Sequence, residues 1–146
     1  MNIVDTNGIS HIFTNNLTLQ EDYYLVPDVV EEVEMTQLVH GRRIPHRVLE
    51  IMQTHYFDEA IYLDHYNKTL NKYGGRSFYN MTGFGDVSII ATLHMLMDVF
   101  DGQRQGQLFD LSEQIVVYTN DTRLTANINT EFAGKDVVVL PVTDIS

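Results

Sequence analysis

Along the chain, short apolar runs alternate with longer stretches whose apolar residues recur at helical spacing. Asn2–Asp5 is a short β-prone run, and a helix from about Thr6 to Phe13 follows it. Tyr23–Pro27 is a second run, aromatic and β-branched, halted by proline. Asp28 to about His40 reads as a helix. Its Asp and Glu residues crowd the first two turns, where they suit the positive end of the helix dipole. The segment Gly41–Pro45 breaks that helix. Two further helices are predicted over about His46–His55 and Asp58–Tyr73, the second stopped at Gly74–Gly75. From Asp86 to Phe100 the chain is apolar nearly all round, which marks a buried helix. Ile115–Tyr118 and Val137–Leu140 are uninterrupted apolar runs of strand length, with a helix from about Asp121 between them.

Uninterrupted strands separated by helices predict an α/β fold, a three-layer α/β/α sandwich around a mostly parallel sheet of four or five strands. A chain of 146 residues has room for one such domain, spanning 1–146. Ligand sites in these sheets lie beyond the carboxyl ends of the strands, and acids gather at those places. Asp5 ends the first run, Asp121 follows Ile115–Tyr118, and Asp86 heads the buried helix. Glu31, Glu32 and Glu34 stand in the first turns after Pro27. Carboxylates brought together in this way repel unless they are protonated or bridged by divalent cations. Oxygen-only donors suit Mg²⁺ or Mn²⁺, the usual agents of phosphodiester hydrolysis. Asp86 and Asp121 also stand where a helix cap is expected, and a capping Asp can still turn one oxygen outward. Asp5 is different: directly after an apolar strand it must be half-buried, so it needs a partner or a cation. Around the helix, Glu32 and Glu34 flank the apolar centre formed by Val29, Val30 and Val33, while Glu31 points away.

These residues together resemble a PIN domain, the metal-dependent nuclease fold. Ile3-Val4-Asp5-Thr6-Asn7 is similar to the strand running into Asp-Thr/Ser-Asn/Ser with which that family opens. Val26-Pro27-Asp28-Val29-Val30-Glu31-Glu32-Val33 resembles its short strand, proline and Glu-bearing helix, with Glu32 at the favoured spacing. Gly85-Asp86-Val87-Ser88-Ile89-Ile90-Ala91-Thr92 resembles the third acid before an Ile-x-Ala helix. Val116-Val117-Tyr118-Thr119-Asn120-Asp121 resembles the strand and Thr-x-Asp turn that carry the fourth acid, and Val137–Leu140 resembles the family's final strand, which has no acid of its own. The resemblance covers nearly the whole chain in order, residues 41–80 excepted. It implies hydrolysis of mainly single-stranded RNA by an acid cluster holding one or two Mg²⁺ or Mn²⁺. Asp5 and Asp86 would ligate the metal, Asp121 and Glu32 would complete the shell, and Asn7, Thr119 and Asn120 would orient the carboxylates. A toxin or defence effector fits that reading, with an inhibitory or regulatory protein partner, and PIN domains commonly form homodimers.

Composition narrows the field. The chain has no cysteine, which removes disulfides, thiol catalysis and thiolate zinc sites and makes a reducing cytoplasm the expected compartment. No run of 18 apolar residues exists and the first residues lack a basic-then-apolar signal, so neither a membrane span nor a secretory leader is expected. The net charge of −11 is unevenly spread: −7 over residues 1–40, +2 over 41–76 and −6 over 77–146. The one dense basic patch holds Arg42, Arg43 and Arg47, which either steer phosphate toward the site or form a solvated loop. Tyr62, Tyr66 and Tyr73 recur at helical spacing and read as packing. His94 is expected to be a hydrogen-bonded core residue, with Met95 and Met97 as core filler. The six histidines form no His-x₃-His pair on a shared helix, so no zinc site is expected. Phosphate-loop, dinucleotide-binding and serine-elbow motifs are missing, as is the second acid that aspartyl-phosphate chemistry needs after the first strand. A second reading, from a different class, is a PIN-like interaction module without turnover whose acidity suits a basic protein partner.

Overall fold

The computed structural model describes residues 1–73, 84–106 and 114–146. The apolar runs form strands β1 (Asn2–Val4), β2 (Tyr23–Leu25), β4 (Ile115–Tyr118) and β5 (Val137–Leu140). A further strand, β3, is Val48–Glu50. The helices are α1 (Thr6–Thr14), α2 (Pro27–His40), α3 (Glu59–Tyr73), α4 (Phe84–Gly106) and α5 (Thr122–Glu131). All neighbouring strands pair in parallel, in the order β3-β2-β1-β4-β5, and helices flank the sheet in a three-layer α/β/α arrangement. The expected fold class holds, with five strands, all parallel.

The fifth strand comes from a segment expected to be helical. His46–His55 folds instead as β3 followed by a 3₁₀ turn, Ile51–Gln53. Val48 and Ile51 are both buried, a spacing of three that imitates a helix face. Pairing decides against the helix: Tyr23 N–H donates to Arg47 C=O at 2.8 Å, and Val48, Leu49 and Glu50 then run alongside β2. Helix α4 begins at Phe84, two residues before the expected start, and extends to Gly106, beyond Phe100. The glycine stop at Gly74–Gly75 lies outside the described residues.

The central strands β1, β2 and β4 bury Ile3, Val4, Tyr23, Leu25, Ile115 and Val117, and α4 adds Ile89, Ile90, Leu93, Met95 and Leu96 to the same core. The two core strands β1 and β4 run in step, Val4 beside Tyr118, so Asp5 and Thr119 emerge together at the carboxyl edge. The tyrosines of α3 pack as expected and also make specific bonds. Tyr62 OH pairs with Ser88 Oγ at 2.7 Å, Tyr66 OH donates to Asp28 Oδ2 at 2.6 Å, and Tyr73 OH donates to Glu131. Ser88, fully buried, also accepts the Asp28 N–H at 3.3 Å, which fixes the start of α4 against the start of α2. His94 is partly buried and its Nε2 lies 2.7 Å from Glu131 Oε2. Among the described residues no helix is long and apolar enough to cross a membrane.

Candidate functional site

Asp5 leaves β1 in extended geometry and caps α1, its Oδ1 accepting the Gly8 N–H at 2.8 Å. The other carboxylate oxygen accepts from the Thr119 hydroxyl. Helix α1 can approach because residue 8 is glycine: a Cβ there would stand 3.1 Å from Val4 Cβ and 3.6 Å from Asp5 Oδ1. Asp5 is 7% exposed, so its oxygens exchange water for these donors. Burial pushes its carboxyl above the ordinary value, the Thr119 and Gly8 hydrogen bonds pull it back, and the charge of Asp121 pushes it up again.

Thr119 joins two of the acids. Its hydroxyl donates to Asp5 and accepts the Asp121 N–H at 3.0 Å. Asp121 in turn caps α5, Oδ1 accepting from Arg123 N–H at 2.9 Å and Leu124 N–H at 3.0 Å. The cap expected of Asp121 is therefore present. Asp86 differs, because α4 starts two residues earlier and Asp86 lies inside its first turn instead of at the cap. Glu32 is oriented by Thr6, whose hydroxyl donates to Glu32 Oε2. Helix α4 comes close to that carboxylate at Gly85, where a Cβ would lie 3.2 Å from Glu32 Oε1 and 3.4 Å from Val29 Cγ2.

The result is a small polar cleft of about 160 Å³ at the carboxyl edge of the sheet, lined by Asp5, Thr6, Asn7, Glu32, Asp86 and Asp121 with Val29 and Gly85. Four carboxylates separated by up to 116 positions in the chain meet there, and Asn7 lies beside them. Of the three neighbouring glutamates, Glu32 enters the cleft, while Glu31 and Glu34 are exposed outside its lining. Thr119 is buried beneath the cleft. Asn120 is turned away: its Oδ1 accepts the Val142 N–H at 3.1 Å and secures the 3₁₀ turn Val142–Asp144 after β5. The basic patch divides. Arg47 pairs with Asp22 at 3.3 Å on the far side of β2, Arg43 is exposed, and Arg42 lies over the Phe13 ring, 6.0 Å from its centroid.

Among the described residues no three acids or histidines stand close enough to share one ion as the side chains are placed. The hydrogen bonds account for this, since like-charged carboxylates turn toward available donors, here Thr6, Gly8, Thr119 and the start of α5, and away from one another. Among the described residues the donor set is oxygen throughout, with no imidazole in the lining, and such a set suits a hard divalent cation. Residues whose role the linear pattern leaves unassigned are Thr6, Gly8 and Gly85. Thr6 stands inside Asp5-Thr6-Asn7 and Gly85 directly precedes Asp86, so both lie within the recognised motifs. No family model matches this chain, and neither a curated protein nor a solved structure matches it.

Proposed function

We propose that the protein is a PIN-type endoribonuclease that uses Mg²⁺ or Mn²⁺ to hydrolyse phosphodiester bonds of mainly single-stranded RNA. The observation that supports this reading is the convergence of Asp5, Glu32, Asp86 and Asp121 on one polar cleft at the carboxyl edge of a parallel sheet. Those four carboxylates would hold the cation. Bound there, a divalent ion supplies a water of lowered pKa and neutralises charge on the phosphate.

The chain's own residues do the positioning. Thr119 and the Gly8 N–H hold Asp5 so that its charge is fixed in place. Thr6 performs the same task for Glu32. The N–H groups of Arg123 and Leu124 at the start of α5 hold Asp121. Products with 5′-phosphate and 3′-hydroxyl ends are what the resemblance to PIN domains implies, with water attacking phosphorus and the 3′-oxygen leaving. A toxin or defence effector is the biological setting this reading favours.

The reading is tested with a labelled single-stranded RNA, with Mn²⁺ or EDTA, beside Asp86→Asn and Asp5→Asn. Metal-dependent cleavage that both substitutions abolish is the expected result, and variants that cut as well as the parent would refute it. Mn²⁺ should also raise the unfolding temperature, because a ligand held only by the folded state stabilises it. No cleavage together with no Mn²⁺ stabilisation would favour the interaction module, whose basic partner the charge of −11 suits.

A further inference from the structure

A second, larger depression of about 360 Å³ opens next to the acidic cleft and shares Thr6 and Asn7 with it. Its floor is one face of α1, along which Asn7, Ser10 and Thr14 follow one another at spacings of three and four. All three are exposed polar side chains. From Asn7 to Thr14 the helix rises about 10 Å, or about three steps of a stacked strand at roughly 3.4 Å each. At its far end are Phe13, half-buried, and Arg42, whose guanidinium is backed by the Phe13 ring.

Among the described residues the lining of this groove contains no Asp or Glu, in a chain that carries 20 of them. An arginine lying over an aromatic ring at the rim of a groove offers a planar fork of donors, which suits a phosphate oxygen pair. Asn, Ser and Thr offer donors to phosphate and to ribose hydroxyls without reading the base. We propose that this groove carries the sugar-phosphate backbone of an RNA strand away from the acidic cleft, with Arg42 clamping a phosphate a few nucleotides from the bond to be cut. The proposal rests on the nuclease reading for its geometry, but strand binding by the groove can be measured without any cleavage.

The probe is a fluorescein-labelled octauridylate, followed by fluorescence anisotropy at low salt in EDTA, so that no metal chemistry contributes. Arg42→Ala should weaken binding about ten-fold, the loss of one charge-assisted contact. The slope of log K against log salt should fall by about 0.7, the value for one single-strand phosphate. Lys135→Ala removes the same charge at the turn before β5, on the opposite edge of the sheet, and should change affinity less than about two-fold. Thr14→Glu, which places a carboxylate on an exposed position of the groove, should also weaken binding, and Arg42→Lys should restore part of it. Equal effects of Arg42→Ala and Lys135→Ala, or no binding by the parent, would overturn the proposal. A parent that binds through Arg42 yet never cleaves with Mn²⁺ would leave the groove standing and remove the nuclease reading.

Discussion

Glu131, at the end of α5, is a heavily bonded carboxylate outside the cleft, and its removal should change stability by an amount that depends on pH. Its side chain is 5% exposed. Lys72 Nζ lies 2.9 Å from Oε1, His94 Nε2 lies 2.7 Å from Oε2, and the Tyr73 hydroxyl donates to Oε1. Burial pushes this carboxyl upward, but the hydrogen bonds from His94, Tyr73 and Lys72 and the Lys72 charge outweigh it and hold the pKa at about 2, against an ordinary 4.5. A folded-state pKa below the unfolded one stabilises the fold above the unfolded value and loses that stabilisation as pH falls through the folded value. The difference converts to about 3 kcal/mol near neutral pH, with roughly a quarter of it left at about pH 2.5. Glu131→Gln keeps the shape and one acceptor, so it should lower the unfolding free energy by about 2–3 kcal/mol near pH 7. The gap should shrink below about 1 kcal/mol near pH 2.5. Urea unfolding followed by far-ultraviolet circular dichroism measures both, with a midpoint shift of about 1 M or more near neutral pH. An equal deficit at both pH values would show that packing, not charge, makes this contact, and the reasoning would be refuted.

Thr119→Val removes the donor to buried Asp5 and the acceptor of the Asp121 N–H at once, and should cost about 1–3 kcal/mol in urea unfolding at neutral pH. A loss within about 0.5 kcal/mol, the level of an ordinary surface change, would contradict the bridging role. Gly85→Ala should leave thermal stability nearly unaltered while reducing the stabilisation given by Mn²⁺, because the new Cβ meets Glu32 Oε1 at 3.2 Å and forces that carboxylate aside. Metal-free parent protein should gain stability relative to Asp5→Asn as pH falls through the raised pKa of Asp5 toward its ordinary 3.8, since burial disfavours the charged form in the folded state. A parent-minus-variant difference that is flat over this range would count against the raised pKa.

Much of this architecture is legible in the chain because its strands are continuous apolar runs and its helices carry clear breaks. Ile115–Tyr118 and Val137–Leu140 form strands at the expected residues. The segment Val48–Gln53 misleads because an edge strand of three residues gives too little pattern to outweigh two buried residues three apart. The four acids of the cleft are legible for a topological reason: in a parallel sheet, whatever follows a strand arrives at the same edge. The choice among Glu31, Glu32 and Glu34 is not settled by periodicity, since two of them flank the apolar stripe equally. Contact with Thr6 and Gly85 separates them in space. Asn120 shows the limit of motif reasoning, because one residue from Asp121 its side chain serves the C-terminal turn.

The cap reading and the site reading of these acids describe one arrangement. Parallel strands place the starts of α1, α2 and α5 at the carboxyl edge, and Gly85 brings the start of α4 to the same place. Each helix N-terminus favours a nearby carboxylate by roughly 0.3–1 kcal/mol, and capping adds hydrogen bonds from N–H groups that otherwise lack partners. Asp5 and Asp121 are therefore held as caps by the same backbone groups that keep a cluster of negative charge tolerable without a cation. Residual repulsion is visible at Asp5, whose carboxyl is pushed up by burial first and also by Asp121. A cation entering the cleft would meet Asp5 already desolvated, and Asp5, Glu32 and Asp121 already held by hydrogen bonds, with their mutual repulsion available to be relieved. On this argument Asn substitutions at Asp5 or Asp121 retain the cap acceptor and the fold, and what they remove is the charge that a cation would neutralise.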